Sequence, residues 1–220
     1  MCSGTMTARE VYAAVLRNLM NLKVQPDGTE ISGLLAPDAD MSVDEFAVFD
    51  VDADGAEELI IRQLQGSTAV HAGIVIGYDN EKGATNTQLW EYPMLTFYDN
   101  GVVTAGAGHN QGRGGDFWPY TLYVYDASSD TYVSVGSVDA WDKKLSDENP
   151  DVLPPFPTEL DKSGSGFLYY IYAEGYDPEM LYDESVYLDW LNGYIGDAEE
   201  LQVPFVSLTA DNVTDMMSAQ

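Results

Sequence analysis

The feature that most constrains this chain is a recurring rhythm. Short runs of strand-forming residues are cut off, again and again, by turn residues. Phe46–Val51 comes first, with Phe46 and Val48 facing one way and Ala47 and Phe49 the other. Leu59-Ile60-Ile61, continued by Arg62, follows. Then come Ala72–Tyr78, ended by Asp79-Asn80, and Gln88–Tyr92, ended by Pro93. Met94–Tyr98 runs into Asn100-Gly101, the strongest hairpin signal in the chain, with Val102–Ala105 as its return strand. Tyr120–Tyr125 and Thr131–Val135 flank a turn at Asp126–Asp130. Phe167–Ala173 and Gln202–Val206 complete the set. The regular helix–strand alternation of a dinucleotide fold is missing, so hairpins are the economical connection.

Helical signals sit near the two ends. Thr7 and Glu10 form a capping-box pattern ahead of Val11, Val15 and Leu19, a stripe widened by Tyr12, Leu16 and Met20. Pro26-Asp27-Gly28 makes a turn, and Glu30–Asp44 reads as irregular connection. Ser185–Ile195 reads as a helix, with Val186, Trp190 and Leu191 on one side and Gly196 as its stop. Thr209 caps a last short helix. The expected class is α+β: a predominantly antiparallel sheet built from hairpins, with helices at the N- and C-terminal ends. At roughly 150 residues per domain, 220 residues predict a single domain over 1–220. Residues 1–6 read as a flexible N-terminus and 142–166, rich in Asp, Ser and Pro, as a long loop.

Charge narrows the partners. Nine Lys+Arg face 37 Asp+Glu, a formal net charge of −28. Nucleic acid and anionic membrane surfaces are poor partners for such a chain. An aromatic content of 12% argues against an acidic disordered tail. The charge fits work in high salt, cation binding, or a secreted acidic protein kept soluble and monomeric by repulsion. No run is long and apolar enough to cross a membrane. One cysteine, Cys2, excludes an intrachain disulfide. Its place before Ser3 and Gly4 suits either the lipid-modified cysteine of a bacterial lipoprotein or a free thiol at a frayed terminus.

One motif carries specific chemistry. Asp50-Val51-Asp52-Ala53-Asp54-Gly55-Ala56-Glu57-Glu58 places acidic side chains at loop positions 1, 3, 5 and 9, with glycine at 6. Calcium takes six to eight hard oxygens at about 2.3–2.6 Å, and alternate residues of a tight loop converge on one ion. Gly55 permits a positive φ that a side chain would resist. Asp50, Asp52 and Asp54, the Ala56 carbonyl and Glu58 are the candidate ligands. An EF-hand would need a bidentate Glu at position 12. That position is Ile61, inside an apolar strand, so the loop reads as a connection between two strands. The competing reading is a solvated acidic turn.

The stretch from Phe46 to Ile61 resembles the phe-x-leu-x-asp-ile-asp-gly-asp-gly-x-x-glu-leu segment of secreted or lipid-anchored proteins of Gram-positive gut bacteria, a mostly uncharacterised family with a single loop of this kind. The resemblance extends to the N-terminal helix bearing Tyr12 and Leu16, to Trp190-Leu191 through Gly196, and to Phe205–Val213. It is also similar to the calcium loops of integrin-like propellers, which repeat where this chain has one copy. It implies the same five ligand positions and a cell-surface or secreted location, with no activity attached. Ala53 departs from the glycine frequent there, which should stiffen the loop.

Other candidates are less specific. The glycine-rich stretch 106–115 is predicted as a pliant surface connection, with His109, Asn110 and Arg113, near Trp118, as the residues for a ligand or partner contact. The Gly-Lys-Ser/Thr ending of a phosphate loop is absent. His71 and His109 have no metal-site spacing, and His71 reads as a half-buried packing residue. The nucleophile elbow Gly-x-Ser-x-Gly is absent. Trp118, Tyr120, Tyr123 and Tyr125, echoed by Tyr169, Tyr170 and Tyr172, suit cross-strand packing or a sugar-binding face. The leading expectation is therefore a surface or secreted interaction domain with one structural calcium and an extracellular glycan or protein partner. A carbohydrate- or peptide-binding module and a glycan-directed hydrolase are the alternatives; the chain is not expected to be an enzyme.

Overall fold

In the computed structural model, residues 6–36, 39–110 and 113–218 are described. Cys2, the proposed lipid anchor, lies outside them. The elements are α1 (Ala8–Leu22), β1 (Glu45–Phe49), β2 (Glu58–Gln63), β3 (Ala72–Asp79), β4 (Ala84–Glu91), β5 (Leu95–Phe97), β6 (Val102–Gly106), β7 (Tyr120–Asp126), β8 (Thr131–Asp142), α2 (Lys143–Glu148), β9 (Phe167–Tyr172), β10 (Tyr182–Asp183), α3 (Glu184–Asn192), β11 (Val206–Ser207) and α4 (Ala210–Ser218). The strands form a five-stranded sheet, β11-β1-β2-β3-β4, and a six-stranded sheet, β10-β9-β8-β7-β6-β5. The registered strand pairs in both are antiparallel, so the α+β hairpin architecture holds. The chain divides into two compact units. One comprises Met1–Pro93, Asp126–Thr131 and Gln202–Gln220; the other comprises Met94–Tyr125 and Tyr132–Leu201.

In the first unit, α1 starts as its sequence predicts. Thr7 accepts the Glu10 backbone N–H while the Glu10 carboxylate accepts from the Thr7 backbone, a complete capping box. The buried stripe is Tyr12, Leu16 and Leu19, while Val11 and Val15 lie at its margin. These side chains join Phe46, Leu59, Ile61, Ile74, Ile76, Leu208 and Val213 in one core. Thr209 caps α4 by accepting the Asn212 N–H at 3.2 Å. The apolar runs of β2 and β3 pair Leu59 with Ile76 and Ile61 with Ile74 and are almost fully buried.

In the second unit, Asn100-Gly101 makes the tight turn between β5 and β6, with Gly101 at φ +76°. Its core gathers Val102, Leu122, Val138, Tyr169, Ile171, Tyr187 and Trp190. Tyr169 and Tyr187 stack 4.1 Å apart, and the Tyr120 and Tyr187 hydroxyls meet at 3.0 Å. Tyr120 and Tyr169 of the expected aromatic cluster therefore pack against α3. Several boundaries differ from expectation: β4 starts at Ala84, not Gln88, and the strand read as Gln202–Val206 is Val206–Ser207. β8 continues beyond Val135 to Asp142 because β9 pairs with Ser137–Asp142, which holds polar residues in a strand that their composition does not signal. Asp142 then caps α2, accepting the Lys144 N–H at 2.8 Å, so 143–148 is helical within the stretch read as loop.

Candidate metal centre

The acidic loop joins β1 to β2, whose register runs from Glu45↔Arg62 to Phe49↔Glu58. The hairpin geometry expected from the flanking apolar runs is present, and Ile61 is fully buried in β2. The side chains of Asp50, Asp52, Asp54 and Glu58 organise the loop backbone. Asp50 accepts the Ala53 N–H at 2.9 Å and the Gly55 N–H at 3.2 Å. Asp52 accepts the Asp54 N–H at 3.0 Å, Asp54 the Ala56 N–H at 2.7 Å, and Glu58 the Val51 N–H at 3.0 Å. Gly55 takes φ +91°, as its place in the motif predicts, and Ala53 takes φ +65°, where glycine is favoured.

Asp50, Asp52 and Glu58 each present a carboxylate oxygen within 4.8 Å of the other two. Two oxygens on opposite sides of one calcium ion stand about 5.2 Å apart at most, so the three fit a shared ion. Asp52 is 4% exposed and Glu58 2% exposed. Burying carboxylates so fully is costly unless a cation or hydrogen bonds compensate. Desolvation, reinforced for Glu58 by Asp52, Asp54 and Asp50, pushes Glu58 up to about 8. Desolvation and the neighbouring Asp54 and Asp50 push Asp52 up to about 6 against its hydrogen bonds. The pocket thus binds protons where no metal ion takes their place. Asp54 is exposed and stands outside this converging group of three.

The loop is anchored to α1. The Arg9 guanidinium grips both carboxylate oxygens of Glu57 at 2.7–3.1 Å, and the buried Tyr12 hydroxyl donates to the Glu57 carbonyl at 2.9 Å. Two further groups reach the centre from distant sequence. Gln88 Nε2 donates to Asp52 Oδ2 at 3.1 Å and to Asp130 Oδ1 at 2.6 Å. Sequence reasoning missed both residues. Gln88 reads as an ordinary strand residue, and Asp130 is one acidic turn residue among many.

The other candidates are dispersed. His109 is exposed. The Asn110 amide donates to the Gly115 and Phe117 carbonyls, and the Trp118 indole N–H donates to the Ala107 carbonyl at 2.7 Å. Arg113 lies over the Trp141 ring at 4.4 Å, and its carbonyl accepts the Asp142 N–H. The described part of the glycine-rich stretch is therefore stitched down more than a pliant connection would be; Gln111 and Gly112 lie outside the described residues. The half-buried His71 ring sits 6.0 Å from that of Tyr92. Among the described residues, no helix is long and apolar enough to cross a membrane. The chain matches no family model, no curated protein and no solved structure.

Proposed function

We propose that the chain is a cell-surface or secreted interaction domain whose first unit is stabilised by one calcium ion in the 50–58 loop. The observation that carries the metal reading is the convergence of Asp50, Asp52 and Glu58, two of them almost fully buried, at the mouth of a hairpin. Asp54 and the Ala56 carbonyl, from the same loop, are assigned to complete the shell. The ion would neutralise mutual repulsion and supply oxygen coordination; hard carboxylate oxygens favour calcium over softer metals. The net charge of −28 and the resemblance of the loop support an extracellular setting, where calcium is millimolar and Kd values of about 0.1–1 mM suffice. The test is a melting curve in chelator, then in millimolar calcium or magnesium, for wild type and Asp52→Ala. A calcium-specific rise that vanishes in the variant is expected. Identical curves in chelator and calcium, with no heat in a titration, would overturn the assignment.

A second reading concerns the other unit. An open cleft of about 580 Å³ is lined by Tyr172, Tyr176, Tyr194 and Glu174. Aromatic faces beside a hydrogen-bonding carboxylate suit a glycan. Of its lining residues only Glu174 is acidic, where a glycosidase uses two carboxylates, so binding is favoured over hydrolysis at this cleft. Titration of soluble oligosaccharides into wild type and Tyr172→Ala decides it: a saturable signal lost in the variant supports the reading, and no signal in wild type removes it.

A further inference from the structure

Gln88 has an unusual placement. In the β3–β4 ladder, Val75 pairs with Leu89 but Ile76 pairs with Thr87, so Gln88 is the extra residue of a β-bulge. A bulge breaks strand alternation and re-aims a side chain. Here Gln88 and Leu89, though consecutive, are both buried. The space Gln88 occupies is kept clear by Gly77: a Cβ there would stand 2.8 Å from Gln88 Nε2 and 3.2 Å from its Cδ. The amide so placed bridges Asp52 to Asp130. Asp130 lies in the turn Asp126–Thr131, part of the first unit, and its carbonyl accepts a second amide, that of Asn86. Gln88 is 5% exposed, yet its Oε1 has no hydrogen-bond partner. A buried acceptor without a donor is costly, and such groups mark sites where an ion or its water is to be supplied.

We propose that Gln88 is the positioning residue of the metal centre and couples its occupancy to the order of the Asp126–Thr131 turn. The proposal rests on the calcium reading above. Asp52 is the shared element: it is a ligand of the ion and the acceptor of Gln88 Nε2. Holding Asp52 from behind orients its remaining lone pairs toward the ion, as outer-shell partners do in metal sites generally. In return, an ion that fixes Asp52 fixes the amide, and through it Asp130 and the turn. The coupling is reciprocal, so loosening the turn must weaken the ion by the same factor.

Three variants test this. Gln88→Leu removes both heads of the amide. Gly77→Ala keeps the amide but pushes a methyl group into its place. Asp130→Gly deletes the carboxylate at φ +52°, which glycine adopts freely, and leaves the carbonyl that Asn86 binds. Calcium titration calorimetry and hydrogen exchange of the Ser128–Asp130 amides are read on the whole chain. Each variant is expected to lose about ten- to a hundredfold in calcium affinity. Calcium should slow exchange in the turn of the wild type, and not in Gln88→Leu or Asp130→Gly. Variants that bind calcium as the wild type does, or a turn whose exchange ignores calcium in a wild type that binds it, would overturn the coupling and leave the calcium reading standing. A wild type that binds no calcium would overturn both. A Gln88→Leu chain too unstable to titrate leaves Asp130→Gly to decide.

Discussion

Glu58→Gln separates the two roles of the buried carboxyl. Without metal, Glu58 titrates near 8 in the folded chain against an ordinary value of 4.5. A carboxyl whose folded pKa lies above its unfolded one favours the folded state in acid. That advantage is complete below about pH 4.5 and drains away as the pH climbs toward 8. At pH 7 most of it is gone, a loss of about 3 kcal/mol at 1.36 kcal/mol per pH unit. Glutamine stays neutral throughout and its side-chain oxygen can still accept the Val51 N–H. In chelator at pH 7, Glu58→Gln is therefore expected to melt roughly 6–12 °C above wild type, with the gap closing toward pH 4.5. Saturating calcium should close most of that gap. Wild type gains about 2.7 kcal/mol at a hundred times its Kd, whereas the variant has lost a charged ligand. Thermal melts at pH 4.5, 6 and 7.5, each with chelator and with calcium, read the pattern. A variant less stable than wild type in chelator at pH 7, or equal calcium shifts in both proteins, would refute the reasoning.

Ala53→Gly should stabilise the metal-free chain by about 1 kcal/mol in urea unfolding, because Ala53 sits at φ +65°; destabilisation would show that loop stiffness outweighs the strain. Gly115→Ala is expected to cost about 2–3 kcal/mol. Its φ is +55°, and a Cβ would collide with the Asp142 carboxylate and stand 2.9 Å from Asp142 Cβ, displacing the cap of α2; a loss below about 0.5 kcal/mol in the same assay would contradict the geometry. Tyr12→Phe removes the hydroxyl that holds the Glu57 carbonyl and should cost about 1 kcal/mol with an unchanged denaturant slope.

The sequence by itself determined the parts whose causes are local. Thr7 and Glu10 cap α1 because both partners lie within one turn. Asn100-Gly101 closes its hairpin, and Gly55 takes its positive φ, because those backbone shapes are set over a few residues. Alternating acids around Gly55, between two apolar runs, likewise marked the loop and its hairpin. Tertiary structure decided what depends on residues far apart in the chain. It selected Asp50, Asp52 and Glu58 as the converging three and left Asp54 exposed, since β1–β2 register folds Glu58 back against Val51. It drew Tyr169 of a supposed sugar-binding face into the core and packed Tyr120 against it. It extended β8 to Asp142 through pairing with β9, a partner its own residues do not announce. It also brought Gln88 to Asp52, 36 residues away in sequence, and to Asp130, 42 residues away. A bulge is a mismatch between two strands, and a clearance at Gly77 is a relation between neighbours. Neither exists in one dimension, where Gln88 is a polar residue at the start of an apolar run.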